Sequence, residues 1–326
     1  MKTFPLTRIA ITTLGLVGAA IAPSAAFAVE PPVNTGGTSF MDGFGDPRGS
    51  GLAYMQYARF SSAGSIKDQN GNNIPVFVNP RLNVFASLNQ FLYTFKTDDW
   101  SFHPGVYTII PLVALNSSFG AGGASLQDNG FGMGDALIGT YTQFNTITTA
   151  DHRPLFAHRA DIAVQAPTGK YDATKQINPG TNTWAINPSW AATLMPLARF
   201  EVTTRFNYLY NFSNGNPGGM MTSTQAGQAI FDNFALAYEI LPFNPTRTAA
   251  YSLRAGLNGY YFKQLTESAV NGTKVSGSKE QVLGIGPGLM WIPTLSDAFY
   301  LNVYFETAVE NRFAGNVFQA RWNRTF

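Results

Sequence analysis

The chain has 326 residues, of which 21 are basic and 19 acidic, and it contains no cysteine, which excludes disulfide scaffolds, thiolate metal sites and cysteine nucleophiles. Aromatic residues make up 14% and charged residues only 12%, about half the charged fraction of an ordinary soluble domain. No basic tract indicates nucleic-acid binding, and so few charges favour a protein with a large lipid-facing surface.

Residues 1–28 have the features of a secretory signal peptide. Lys2 and Arg8 precede an apolar stretch from Ile9 to Ala22, and the small-residue site Ala26-Phe27-Ala28 predicts cleavage after position 28. Removal of this peptide leaves 19 basic and 19 acidic residues (21 minus Lys2 and Arg8), so the mature chain has no formal net charge. The apolar stretch is too short for a membrane-spanning helix, and no comparable run follows, which excludes a helical membrane protein.

Residues 29–49 precede the first predicted strand and contain several glycines and prolines. Two interpretations are open for the stretch Pro31 to Gly49. It is a disordered leader in the periplasm, or it is a plug that enters the interior of the domain over 50–326.

The domain over 50–326 shows period-two alternation in segments long enough to cross a bilayer. In the stretch 200–212 the even positions are mainly apolar and aromatic, whereas the odd positions include Glu201, Arg205 and Asn207. The pattern recurs over 249–261 and 299–308. Together with weaker copies it predicts twelve strands, near 51–60, 81–95, 100–115, 133–145, 156–166, 184–196, 200–213, 227–241, 247–262, 280–293, 298–311 and 315–326.

Twelve such strands predict an all-β fold, a transmembrane antiparallel up-and-down β-barrel. Their even number is what a barrel with both chain ends on one side requires. Short turns are predicted at 96–99, 196–199, 242–245 and 294–297, and long loops at 61–80, 116–132, 167–183, 214–226 and 263–279. Short turns are typical of the periplasmic side and long loops of the exterior. The connection 146–155 falls among the short turns in this alternation but is longer than the other short turns.

The chain ends on Phe326, with Trp322 on the same face of the last predicted strand. This resembles the C-terminal sorting signal of outer-membrane barrels, which implies the barrel assembly machinery and outer-membrane lipid as partners. Arg324 departs from the pattern, because a lipid-facing charge is tolerated only near the interface. The predicted localisation is the bacterial outer membrane.

Strand parity assigns a set of charged residues to the barrel interior. In a barrel of about twelve strands they can line a narrow aqueous passage that selects permeants by charge and width. The alternative is that they pair with one another and fill the interior. The set comprises Arg159, Asp161, Glu201, Arg205, Glu239, Arg254, Glu306, Glu310 and Arg321.

The loop that contains Pro167, Gly169, Tyr171 and Asp172 is a candidate constriction. Gly169 permits a tight bend, and Tyr171 can stack on an aromatic permeant. The alternative is an ordinary turn, for which a Pro-Thr-Gly segment is typical.

Catalytic barrels place a histidine and a serine two residues apart on one strand face. Here the residues two positions after the three histidines are Gly105, Pro154 and Ala160. Three scattered histidines also make a poor metal cluster. No catalytic residue, metal or cofactor is therefore predicted.

An ordered set of short motifs resembles a family of outer-membrane transporters labelled with the MetA pathway of phenol degradation. These motifs are Gly134-Asp135, Pro167 to Asp172, Asn178 with Trp184 and Pro188-Ser189, Glu201 with Arg205 and Tyr208, Gly259-Tyr260-Tyr261 with Gln264, and Gly284 to Gly288. The resemblance implies a β-barrel for uptake of aromatic or other hydrophobic small molecules, with no defined catalytic residue.

The sequence therefore predicts a porin-like channel that passes small hydrophobic or aromatic solutes by passive or facilitated diffusion. Three alternatives remain open. They are a structural or adhesive barrel with a filled lumen, an outer-membrane lipid-modifying enzyme, and a soluble secreted β-sandwich.

Overall fold

The computed structural model describes residues 35–45, 50–97, 101–242 and 252–326. Over these ranges the regular elements are β-strands. No helix in the described ranges is long and apolar enough to cross a membrane. The predicted signal peptide lies outside the described residues.

Twelve long strands form one antiparallel sheet that closes on itself. Each strand pairs with its neighbours in the chain, and the last strand pairs with the first, so the prediction of a twelve-stranded up-and-down barrel is confirmed. The strands are β1 Gly51–Ile66, β2 Arg81–Thr94, β3 Phe102–Ser118, β4 Ala136–Phe144, β5 Pro154–Ala166, β6 Ala185–Leu197, β7 Phe200–Asn211, β8 Ala229–Leu241, β9 Ser252–Gln264, β10 Gln281–Ile292, β11 Asp297–Glu310 and β12 Phe313–Thr325.

Shorter strands lie in the connections. Phe131–Met133 pairs with the exterior half of β3, and Ile147–Thr148 pairs with β5 inside the connection that is longer than expected. Thr224–Gln225, Ala269–Val270 and Thr273–Lys274 form a separate three-stranded sheet. Two long loops are therefore joined by backbone hydrogen bonds outside the barrel.

Side chains alternate between the two faces of the sheet, as a β-strand requires. On β7 the buried residues Glu201, Thr203 and Arg205 point inward, and Phe206 points outward with 47% of its surface exposed. The outward face of the barrel is mainly apolar and is the surface that contacts lipid. The even residues of β2 and β9 and the odd residues of β5 to β8 point to the interior, which contains the candidate site.

Candidate functional site in the barrel interior

Arg159, Asp161 and Arg205 form an ion cluster on the inner face of β5 and β7. Arg159 Nε lies 2.9 and 3.0 Å from the two carboxylate oxygens of Asp161. Arg205 Nη1 lies 3.2 Å from Asp161 Oδ2, and this carboxylate has no exposed side-chain surface. Because each buried charge has a partner of opposite sign, the cluster offsets much of its desolvation cost.

Arg254 forms a second cluster on β7, β8 and β9. Its Nη1 donates to Glu201 Oε2 at 3.0 Å and its Nη2 donates to Glu239 Oε1 at 2.9 Å. One guanidinium thus bridges two carboxylates, a geometry suited to the planar donor set of arginine. We call the six residues of these two clusters, Arg159, Asp161, Glu201, Arg205, Glu239 and Arg254, the charged wall.

Two further predicted residues also lie on the inner face. The guanidinium of Arg321 lies 3.5 Å from the centroid of the Tyr300 ring, a cation–π contact. Glu306 accepts hydrogen bonds from Tyr260 Oη at 2.7 Å and from the backbone N–H of Gly315 at 2.9 Å. Eight of the nine predicted interior residues therefore point inward.

The structure places Glu310 differently. Ala308 has a positive φ of 48°, and the pairing of β10 with β11 shifts register between Gln281 and Leu283. A bulge of this kind inserts one residue and exchanges the two faces of the strand. Val309 is consequently buried, and Glu310 lies beside the outward-facing Gln281 at the rim.

Residues 35–45 run through the interior of the barrel, and Phe40 has no exposed surface. The backbone N–H groups of Gly36, Met41 and Gly43 donate to Asn233 Oδ1 at 2.7 Å, Glu201 Oε1 at 2.9 Å and Thr193 Oγ1 at 3.0 Å. The carbonyl of Gly36 accepts from Tyr304 Oη at 2.6 Å and Gln319 Nε2 at 3.0 Å. Asp42 binds Arg205, with a distance of 2.5 Å between Oδ2 and Nε. The segment thus contacts strands on several sides of the interior.

The inner face of β2, β3 and β4 is chemically different from the charged wall. Gln90, Tyr141 and Gln143 share this face, but eight of its side chains are aliphatic and most of these eight are nearly fully buried. We call these eight residues, Leu82, Val84, Leu88, Leu92, Ile109, Val113, Leu115 and Leu137, the apolar wall. Sequence reasoning missed it, because β3 carries apolar residues on both faces. On β2 the outward face itself includes the polar residues Ser87 and Asn89, so parity does not distinguish a polar inside from an apolar outside there.

Three apolar side chains from the exterior connections also enter the barrel. Phe77, Leu126 and Ile177 are buried and pack on the exterior end of the apolar wall with Leu82 and Leu115. In the sequence Leu126 and Ile177 are isolated apolar residues in polar loops, whereas Phe77 lies in the apolar run Val76-Phe77-Val78. They narrow the exterior end of the interior.

Asp135 organises the predicted constriction loop. Its carboxylate accepts hydrogen bonds from the backbone N–H of Gly169 at 2.9 Å, from Gln165 Nε2 at 2.9 Å and from both the N–H and the hydroxyl of Thr181 at 2.6 Å. A Cβ on Gly169 would lie 2.7 Å from Gly180 Cα, so glycine is required by this close approach. The loop that starts at Pro167 is therefore tied to the barrel end rather than free.

Tyr171 and Asp172 lie in the exterior loops, away from the charged wall. Tyr171 Oη donates to the carbonyl of Asn216 at 3.2 Å and accepts from Asn214 Nδ2 at 3.1 Å, and burial raises the pKa of Tyr171. The backbone N–H of Thr174 lowers the pKa of Asp172. The residue of this loop that reaches the interior is Ile177.

Glu280 lies at the exterior mouth, just before β10. Burial raises the pKa of Glu280 to about 7, and the nearby Arg312 acts in the opposite direction. Arg312 also lies 3.9 Å from Glu306. The charge of the mouth therefore depends on pH near neutrality.

The histidines lie at the barrel rim or on its outer face rather than in the charged wall. His158 stacks on Phe144, with 4.3 Å between ring centroids. His103 Nδ1 lies 2.6 Å from Thr97 Oγ1, and its Nε2 lies 3.1 Å from Asn145 Oδ1. Thr97 Oγ1 also donates to the carbonyl of Phe102, so this chain of hydrogen bonds closes the turn between β2 and β3. Among the described residues no group of three potential ligands could hold a metal ion.

The C-terminal residues close the barrel on the short-turn side. Phe326 N donates to the carbonyl of Leu52 at 2.9 Å, and Trp322 Nε1 donates to Asp297 Oδ1 at 3.0 Å. Arg324 lies 3.2 Å from the same carboxylate, and its side chain is 44% exposed. The charge that departs from the sorting pattern is therefore paired at the rim.

A closed antiparallel barrel of twelve strands, apolar outside and polar in part inside, defines an outer-membrane β-barrel. The structure is similar to an outer membrane channel from Pseudomonas putida, with a TM-score of 0.73, 17% identity, and coverage of 88% of this chain and 98% of that one. A weaker likeness is to the β domain of the Bordetella autotransporter BrkA, with a TM-score of 0.49, 8% identity, and coverage of 85% and 100%.

The family model described as "Putative MetA-pathway of phenol degradation" matches residues 63–322. The chain therefore belongs to this family, and the resemblance in its motifs is confirmed. The comparison with curated proteins finds no match.

Proposed function

We propose that the protein is a channel through which small hydrophobic or aromatic compounds cross the outer membrane by passive or facilitated diffusion. The observation that carries the proposal is the apolar wall. Porin channels filled with water have a polar interior, and an aliphatic surface there favours permeants that lose ordered water when they bind. The family description refers to phenol degradation, and the similar protein from Pseudomonas putida is a channel by name.

The test compares the flux of a neutral aromatic dye and an uncharged sugar of similar size through the purified protein. Vesicles with lipopolysaccharide in the outer leaflet are suitable, because that leaflet slows apolar solutes. We expect the dye to pass several-fold faster. Equal flux of the two solutes, or none of either, would contradict the proposal.

Val113→Thr sharpens the test, because it adds a hydroxyl to the apolar wall with little change in volume. We expect dye flux to fall several-fold, since a permeant in contact with this wall would meet a polar group. Val202→Thr is the matched control, because Val202 points outward with 37% of its surface exposed. An equal fall in both variants would locate the effect outside the interior.

We also propose that residues 35–45 act as a resident plug rather than as a periplasmic leader. Its hydrogen bonds with inward-facing side chains support this role. A Cβ on Gly43 would lie 2.4 Å from both the carbonyl oxygen of Ala157 and the N–H nitrogen of Thr193. Gly43→Ala should therefore prevent the segment from seating.

The measurement is conductance in planar bilayers. Gly43→Ala should raise it, whereas Gly64→Ala should not, because no atom lies within 4 Å of a Cβ at Gly64. If both variants conduct like the parent protein, residues 35–45 do not block the passage.

A structural or adhesive barrel with a filled lumen is the second candidate, favoured by the paired charges of the charged wall. Arg205→Ala separates the two functions. A channel should change its ion selectivity, because a charge is lost from the passage. A filled barrel should only lose stability, measured by unfolding in denaturant.

A further inference from the structure

The outer face of β1 and β2 carries three uncharged polar residues in a membrane-facing position. Gln56 lies directly opposite Asn89 in the ladder, and Ser87 lies opposite Ala58 in the next outward pair. Their outward neighbours Phe85 and Phe91 are 46% and 44% exposed. We call Gln56, Ser87 and Asn89 the amide patch.

The amide patch lies within the apolar band of the barrel. Ser87 and Asn89 stand between Phe85 and Phe91 on the outward face of β2, and the apolar band of such barrels is about 25 Å tall. Many outward residues near mid-strand in the other strands are aliphatic, for example Ile110, Ile162, Leu236, Leu289 and Leu301. The outward threonines Thr108, Thr140 and Thr204 donate their hydroxyl groups within the sheet.

Hydrogen bonds inside the patch leave part of its bonding capacity unused. Tyr54 Oη donates to Asn89 Oδ1 at 2.7 Å, and Gln56 Nε2 donates to Ser87 Oγ at 3.3 Å. The contacts of Asn89 Nδ2 are long, at 3.4 and 3.5 Å. Gln56 Oε1 accepts no hydrogen bond from any described residue. In hydrocarbon no water completes these bonds, so the unused groups favour a partner within the membrane.

We propose that a second copy of this chain docks on the amide patch within the membrane. Asn89 offers donors and Gln56 an acceptor, so the patch is complementary to itself under a two-fold axis. Asn89 Nδ2 of one copy would donate to Gln56 Oε1 of the other, and the reverse bond would form by symmetry. Phe60 and Phe85, each 46% exposed, flank the patch and would pack across the axis.

The chain contains no cysteine, so a single introduced thiol reports proximity without background. Ala58→Cys is expressed in outer membranes and treated with a mild oxidant or a short thiol cross-linker, because Ala58 lies opposite Ser87 beside the patch and its replacement keeps all three residues of the amide patch. Leu236→Cys is the matched control, because Leu236 lies at mid-strand on β8, on the other side of the barrel, with 43% exposure. We expect covalent dimers of twice the chain mass with Ala58→Cys in clear excess over the control.

A second measurement removes the patch itself. In the otherwise native chain, Ser87→Ala with Asn89→Leu should convert dimers to monomers in mass measurements made in lipid nanodiscs. A parent protein that is monomeric there overturns the proposal, as does equal cross-linking at positions 58 and 236. Cross-links from position 58 to a different protein would also overturn it.

Discussion

The apolar wall and the charged wall share one backbone framework but bind different things. Both are inner faces of the same closed ladder, in which strand pairing satisfies the backbone. The charged wall pairs its ions with one another and also binds residues 35–45 through Glu201 and Arg205. Among the described contacts, no hydrogen bond from that segment reaches β2 or β3. The difference teaches that polar side chains of the interior hold the internal segment by hydrogen bonds and ion pairs, while the apolar wall is held by the packing of aliphatic side chains.

The largest expected effect comes from breaking the charged wall. Arg254→Met leaves the buried carboxylates of Glu201 and Glu239 without their common partner. The free energy of unfolding in denaturant should fall by about 3–5 kcal/mol. Arg324→Met, at the exposed rim pair, should cost less than about 1 kcal/mol. Similar losses in the two variants would show that the interior pairs are not buried in lipid-embedded protein.

A smaller loss is expected from the apolar wall. Leu115→Ala removes buried aliphatic volume and should lower the free energy of unfolding by about 2–4 kcal/mol. Leu112→Ala is the control, because Leu112 points outward and is 40% exposed. Ion selectivity should stay unchanged in both variants, since neither alters a charge. A selectivity change in Leu115→Ala would contradict the separation of the two walls.

Asp42→Asn tests the contact that joins the internal segment to the charged wall. The substitution removes the charge that binds Arg205 while Asp161 remains as its partner. We expect a loss of about 1–2 kcal/mol in seating of the segment, seen as roughly ten-fold more open events in single-channel records. Asp232→Asn, on the outward face beside Thr204, should leave the records unchanged.

The smallest effect concerns pH. Glu280 has a folded pKa near 7, above the ordinary value of about 4.3, so the folded state binds a proton more tightly than the unfolded chain. Stability should therefore fall as pH rises through the interval between these two values. We expect the free energy of unfolding to be lower at pH 7.5 than at pH 5, measured by unfolding in denaturant at the two values. Glu280→Gln should abolish that part of the dependence, and an unchanged slope would contradict the assignment.

Period-two alternation predicted the twelve strands because strands such as β7 and β11 have one polar face and one apolar face. The same parity predicted the inward direction of Arg205 and Arg254. It was wrong for Glu310, because one residue inserted at the Ala308 bulge exchanges the faces. No local pattern announces such an insertion.

The apolar wall and the loop contacts could not be predicted for a different reason. Apolar residues on both faces of β3 remove the contrast that parity needs. The hydrogen bonds of Asp135 join it to Gly169 and Thr181, which are remote in sequence. The contacts of residues 35–45 involve several strands at once, so local composition does not specify them.

The seam between β1 and β12 carries a consequence for biogenesis. It joins the first strand to the last, and Phe326 itself bonds to Leu52. Every other neighbouring pair can form as the chain is delivered, but this seam requires the final residues. Residues 35–45 precede all the strands in the chain, yet the barrel encloses them only when β1 pairs with β12. They must therefore reach the interior while the sheet is still open.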